Sequence, residues 1–507
     1  LLLKQVSNQV DSFLEFRNTQ LWPHSKSKLN VFNTMPSESI NFDIVVIGAG
    51  ISGMIAANRA AQLGQRVLVL EQGSDDKYPC NTRYTGGTFH IGMREITLDE
   101  ETLTERILEA TAGFVSPEIA STLARDGRRV IRWLQDEGSR FMRASASEYH
   151  KWVLSPPGRS RPGLDWEGRC GDVLLQSLEK HLIERGGQLI RGARARSLIM
   201  EQDACRGVMA ELSGKETSYS ARAVFIADGG FQGNEDLVKQ YISQRPERLK
   251  QRGAGTGRGD GMQMASRVGA DLIGMDRFYG HMQSRDAMTN PNLWPYPYLD
   301  SLVTAGIVVD PEGHRFVDEG RGGVYVANFV AKLPDPMSAY VIFDQQTWDK
   351  AGKNGLIPSN PHLEKEGATI HLAESLEALA KVSGIPLAGL LQAVNEYNSA
   401  LNSQSLSKDL FPTRSSSKYE PCPIVKAPFF AIPMVAGITY TMGGIRVNTN
   451  AQALRADGRP IDGLYALGAA TGGLEGGPEV GYVGGLAKGG VTALLAAEHF
   501  SLQQSVT

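Results

Sequence analysis

Cysteine is scarce in this 507-residue chain, and the four present, Cys80, Cys170, Cys205 and Cys422, lie far apart. No CxxC pair is available for zinc, no CxxCH for haem attachment and no clustered run for an iron–sulfur centre, so no metal site is expected. The thiols read as buried or half-buried side chains in a reducing compartment. An excess of one charge is also missing: 52 Lys and Arg face 55 Asp and Glu, and the basic residues are scattered. That pattern excludes the electrostatic footprint of a nucleic-acid or anionic-membrane partner. No apolar run approaches the roughly 18 residues of a membrane span. An integral membrane segment is therefore not expected, and a cytoplasmic location follows by default. Residues 1–40 read as an N-terminal extension with neither a clean apolar core followed by small residues nor an arginine-rich amphipathic face.

What the chain does have is glycine in ordered blocks. The first is FDIVVIGAGISGMIAANRAAQLGQRVLVLEQG, residues 42 to 73. A short β-branched run, Ile44 to Ile47, suits a buried parallel strand. Gly48, Gly50 and Gly53 follow, then an alanine-rich helix, a second strand and Glu71. The first glycine permits a tight turn, the second lets a pyrophosphate approach the backbone, and the third lets helix and strand pack closely. Glu71 can accept hydrogen bonds from a ribose. Strand, glycines, helix, strand and acid in this order predict dinucleotide binding. Three later blocks extend the pattern: NTRYTGGTFHIG (81–92), SARAVFIADGGFQGN (220–234) and PIDGLYALGAATGG (460–473).

With these blocks in order, the sequence from Phe42 to about Phe500 resembles the flavoprotein superfamily of fumarate reductase, succinate dehydrogenase, tricarballylate dehydrogenase and 3-ketosteroid dehydrogenase. The resemblance implies an α/β fold: a Rossmann-like FAD-binding domain (41–274 and 439–507) interrupted by an inserted α+β capping domain (275–438). It implies FAD, with Gly48, Gly50, Ser52 and Gly53 at the pyrophosphate and Glu71 at the adenosine ribose. Asn81, Thr82, Arg83, Gly86 and Gly87 would run along the phosphates and flavin. Asp228 and Gly229 take the place of a Thr-Gly pair, Asp260 belongs to a GDG-like block, and Gly468, Gly484 and Gly485 complete the flavin contacts. The bland reading of Asp260 is a helix N-cap. Covalent flavin in this superfamily uses a histidine near position 81 to 84; none is there, which implies non-covalent FAD.

Dehydrogenation of a CH–CH unit beside an electron-withdrawing group needs a base, a hydride acceptor and donors for the developing enolate. The resemblance supplies candidates unevenly. The Phe-His-Pro-Thr block becomes Tyr279, Gly280, His281, Met282; the histidine before TMGG is Tyr440; Arg321 follows Glu319 by two residues instead of four. The arginine of the last glycine loop, GGLEGGPEVGYVGGLAKGG, falls on Glu479. A carboxylate cannot grip a substrate carboxylate, so fumarate reduction and succinate oxidation are not expected. A small tricarballylate-like acid would use His281, Arg285 and Arg321 as cations. A ketosteroid-like ketone would use Tyr440 and Tyr482 as base and carbonyl donor. The Trp294, Tyr296 and Tyr298 stretch would suit that ketone, although its simplest reading is packing. The proline- and arginine-rich loop at 155–169 reads as solvated, or alternatively as a substrate gate. The expected function is an FAD-dependent dehydrogenase or ene-reductase of a small substrate, the acid being preferred, with a separate acceptor protein or quinone; a non-catalytic flavin-binding redox subunit is the alternative.

Overall fold

The computed structural model describes residues 42–504, and the structural statements below refer to those residues. The extension expected over 1–40 lies outside them. In chain order, the first sheet begins with β1 (Phe42–Ile47), β2 (Val67–Glu71), β3 (Gln188–Arg191) and β4 (Lys215–Ile226). A second sheet uses β5 (Phe278–Ser284), β6 (Tyr340–Asp344) and β7 (Phe429–Thr441), and the chain then returns to the first with β8 (Gln452–Leu454) and β9 (Pro460–Ala466).

The first sheet has the order β8-β9-β4-β1-β2-β3, parallel along this path except at the β8–β9 edge pair, and two further strands, Ala204–Leu212 and Ala193–Glu201, add antiparallel to the first half of β4. β1 lies near the middle, flanked by strands from different parts of the chain. This is the topological switch point at which the carboxyl ends of parallel strands open a crevice. The connection from β1 to β2 is helix α1 (Ile51–Gln62). Its alanine-rich surface is buried nearly all round, as a helix enclosed between layers requires. The C-terminal helix, which we call α2 (Gly485–Gln504), is enclosed in the same way. Glycines make that packing fit: a Cβ at Gly490 would meet Val130 Cγ1 at 2.4 Å, and one at Gly489 would meet Ser52 Oγ at 2.7 Å. No helix is long and apolar enough to cross a membrane among the described residues.

β7 organises the second sheet. Its first half pairs antiparallel with β6, and its second half with β5, in a register that sets Tyr279 opposite Tyr440. The strand continues unbroken through residues 438 and 439, where the flavin domain was expected to resume. The segment 371–402 begins with a short strand and then forms the helices Leu376–Ser383 and Leu387–Asn402. Gly384, at φ +79°, and Pro386 separate the two helices.

The turn that carries Arg321 hangs from a buried carboxylate. Glu319 is fully buried and accepts from the Val308 amide at 2.8 Å and from Arg315 Nε at 3.0 Å and Nη2 at 2.6 Å. Removing it leaves a buried guanidinium and a buried N–H without their acceptor. Glu319→Ala is expected to lower stability by about 3–5 kcal/mol, read as a shift in the midpoint of chemical denaturation. An unchanged midpoint would contradict this account.

Candidate active site

Two cavities meet between the sheets, and the first lies at the carboxyl ends of β1, β2 and β4. Gly48 leaves β1 at φ +98°, where a Cβ would meet the Ala227 carbonyl oxygen at 2.7 Å, so only glycine fits. A Cβ at Gly53 would lie 2.0 Å from the Gly48 carbonyl oxygen, so that glycine lets α1 close onto β1. Gly50 caps α1 without a side-chain hydrogen bond, and no acid lies in the first turn. The positive end of a 12-residue helix therefore faces the cavity beside Gly48, Gly50 and Ser52. Thr82 accepts from the Ile51 amide at 2.9 Å, and Asn81 ties the Ala254 amide to the Thr439 carbonyl, each at 2.9 Å.

Acids rim the same space. Glu71 ends β2 and accepts from the Ala49 and Gly73 amides at 2.9 and 2.8 Å, while burial raises its pKa. Asp228 accepts from the Gly261 amide at 2.7 Å through one oxygen; the other is buried with no partner, and burial pushes the carboxyl up to about 7. Asp260 is not an N-cap. The cap is Gly259, at φ +72°, and Asp260 is the first helical residue, paired with Arg194 at 2.7 Å. Gly229 and Gly485 complete the expected residues on this wall.

Five others support the wall from behind. A Cβ at Gly87 would meet Cys170 Sγ at 2.7 Å, one at Gly468 would meet Ser52 Oγ at 2.2 Å, and one at Gly484 would meet the His90 carbonyl oxygen at 2.3 Å. Gly53 packs on Gly48 as above. Arg83 turns away into a buried ion pair with Asp172 at 3.2 Å and donates to the Asp76 and Tyr78 carbonyls. Gly86 lies on the second cavity. The orphaned Asp228 oxygen, the glycine cradle at Gly48 and the α1 terminus, which has no acid in its first turn, fit a dinucleotide. The α2 terminus at Gly485 brings a second positive end to the same cavity.

The second cavity, about 1450 Å³, shares Tyr279, Tyr482, Arg252 and Thr439 with the first. Tyr482 stacks on Tyr279 with ring centroids 3.8 Å apart, and its hydroxyl accepts from the Gly485 amide at 3.2 Å. Burial pushes the Tyr482 phenol up to about 12. Tyr279 meets His281 Nε2 at 2.9 Å, and His281 Nδ1 meets Asp300 Oδ2 at 2.6 Å. With the carboxylate on Nδ1, that nitrogen carries the proton and Nε2 accepts from Tyr279. Burial lowers the His281 pKa, so the imidazole is neutral. Tyr440 lines the first cavity, and burial and the Glu475 charge raise its pKa. Glu475 is fully buried against Lys488.

The expected cations are committed elsewhere. Arg321 lines the second cavity, but its guanidinium is taken by Glu479 and by the Tyr325 hydroxyl at 2.7 Å. Arg285 lines neither cavity; it donates to the Met337 carbonyl at 3.3 Å and lies 5.8 Å from the Tyr340 ring centroid. Tyr296 and Tyr298 line the second cavity instead of only packing, whereas Trp294 lies under Lys250. Sequence reasoning missed Tyr279, Asp300, Arg159 and Arg252. Tyr279 was within reach, because it stands two residues before His281 on one strand and shares its face.

Comparison with known proteins agrees with this geometry. A family model described as an FAD binding domain matches residues 43–481. A probable fumarate reductase of Shewanella frigidimarina is 25% identical over 87% of this chain and 71% of its own length. The NADH:fumarate oxidoreductase of Klebsiella pneumoniae is also 25% identical over 87% of this chain, which spans 46% of that protein. The 3-ketosteroid delta1-dehydrogenase of Sterolibacterium denitrificans superposes with a TM-score of 0.69 at 20% identity, over 92% of this chain and 100% of its own. The chain thus belongs to the FAD binding domain family and is an FAD-dependent oxidoreductase of the fumarate reductase-like flavoproteins.

Proposed function

We propose that this flavoprotein oxidises or reduces a carbon–carbon bond conjugated to a carbonyl, and that Tyr482, its hydroxyl oxygen held and polarised by the Gly485 amide, donates to the carbonyl oxygen. The observation that carries the reading is the 3.2 Å contact between those two groups where both cavities meet. Bound FAD supplies the two-electron exchange with the carbon. A phenol held at a pKa of about 12 stays protonated and donates to an oxygen that gains negative charge, and the start of the 20-residue helix α2 adds its N–H groups. Tyr279, His281 and Asp300 form a hydrogen-bonded chain that can hold or pass the proton of the adjacent carbon.

The tricarballylate-like acid expected from the sequence finds little support. His281 is neutral, Arg285 lies outside both cavities and Arg321 is neutralised by Glu479. We further propose that FAD is held without a covalent bond, since no histidine lines the first cavity among the described residues. Denaturation of the purified holoprotein in acid should release all flavin to the supernatant; flavin retained in the pellet would contradict this.

Anaerobic stopped-flow measurement of the flavin spectrum tests the reaction. Cyclic ketones should bleach the oxidised flavin, or cyclic enones should reoxidise the reduced one, whereas fumarate and tricarballylate should do neither. Tyr482→Phe should retain FAD yet slow the exchange roughly 10²- to 10³-fold, as loss of one oxyanion donor does. Rapid exchange with fumarate, or no effect of the substitution, would overturn the reading. The pH dependence follows from the same groups. His281 titrates below its usual value and Tyr482 near 12, so neither changes charge between about pH 7 and 10. Asp228, on the wall of the first cavity, is pushed up to about 7, so the wild-type rate should be flat from about pH 8 to 10, and an inflection near pH 6.5–7 that disappears in His281→Ala would show the imidazole to be unperturbed.

A further inference from the structure

Arg159 carries a charge that no carboxylate balances among the described residues. It stands in the loop 155–169, whose other charges find partners: Asp165 takes Arg161 at 3.2 Å and Arg169 at 2.8 Å, and Glu167 takes Lys77 at 2.9 Å. Arg159 turns inward instead and lines the second cavity. Its Nε is buried with no hydrogen-bond partner, and its guanidinium carbon lies 4.9 Å from the Tyr296 ring centroid. Gly86 makes room for it, because a Cβ there would fall 2.1 Å from the Arg159 Nε.

Arg252 reaches the same ring, 6.0 Å from its centroid, and lines both cavities. It is 5% exposed and donates only to neutral acceptors: Gln283 Oε1 at 3.2 Å, Thr439 Oγ1 at 2.7 Å and the Pro295 carbonyl at 3.0 Å. Neither arginine has a carboxylate partner among the described residues, whereas Arg321 and Arg106 on the same cavity are paired with Glu479 and Glu109. Two guanidinium groups beside one ring, Arg252 buried and Arg159 half-buried with its Nε out of solvent, lack a counter-charge and become favourable once an anion joins them. A carboxylate matches the guanidinium fork and completes its hydrogen bonds.

We infer that Arg159, with Arg252 behind it, binds a carboxylate of the substrate beside Tyr296, at a point separate from the carbonyl site at Tyr482. The substrate is then a carbonyl compound that also bears a carboxylate, an inference that rests on the reaction proposed above for the carbonyl end. Arg159 is not the last arginine of the clamp that the resemblance to fumarate reductases implies, because that arginine falls on Glu479 here.

Binding without turnover tests the anchor separately from the chemistry. Benzoate and benzamide, equal in shape and different in charge, are titrated into FAD-loaded protein and followed by calorimetry and by perturbation of the flavin spectrum. Wild type should bind benzoate roughly tenfold to a hundredfold tighter than benzamide, the range of a charge-assisted hydrogen bond. Arg159→Met should abolish that preference with benzamide affinity and FAD content unchanged, and Arg159→Lys should restore part of it. Equal affinity of the two probes in wild type overturns the anchor, as does equal loss for both probes in Arg159→Met. Either result leaves the flavin response to neutral ketones intact, so failure of the anchor and failure of the reaction are distinguishable.

Discussion

The Gly485 amide points at the Tyr482 hydroxyl, and that contact joins the two halves of the molecule's chemistry. On one side is the space for the dinucleotide, built from backbone; on the other is a chamber walled by tyrosine and arginine. The contact depends on where α2 begins, and α2 begins there because its glycines seat it against α1 and Val130. A side chain at Gly485 itself would press on the Tyr440 ring at 3.2 Å. The glycine-rich segment before α2 thus trades conformational freedom for close approach, and the entropy lost on folding is offset by the burial of a whole helix.

The dinucleotide half was legible because its signals lie in backbone requirements written as local spacing. Gly48, Gly53, Glu71 and the flanking strands stand at intervals fixed by the β–α–β geometry, and none needs a distant partner to be recognised. Arg83 misled for a different reason. Its place in a polar, glycine-rich block suggests a phosphate ligand, and only the fold reveals that Asp172, on a helix some ninety residues later, takes the charge.

The substrate half resisted because its residues converge from segments that share no periodicity. Tyr279 and His281 come from β5, Asp300 from the following helix, Tyr482 from the C-terminal loop, and Arg159 from a loop whose composition reads as solvated. Loop arginines usually face water, and nothing in the sequence distinguishes Arg159 from Arg161 and Arg169; the difference is that Asp165 satisfies the latter two. Glu475 and Glu479, which stand out equally in the glycine-rich segment, separate in the same way. One forms a buried pair with Lys488, and the other holds Arg321 at the edge of the chamber.

β7 has a mechanical consequence. Its 13 residues are hydrogen-bonded to β6 over the first half and to β5 over the second, and its far end delivers Thr439 to the wall that the two cavities share and Tyr440 to the first cavity. A strand laced to neighbours along its length behaves as a lever: tilting its outer part displaces the inner end in proportion. A tilt of β7 as a whole would move Tyr440 and the Arg252–Thr439 hydrogen bond with it. The second sheet and the surroundings of the flavin would in that case be coupled through one strand.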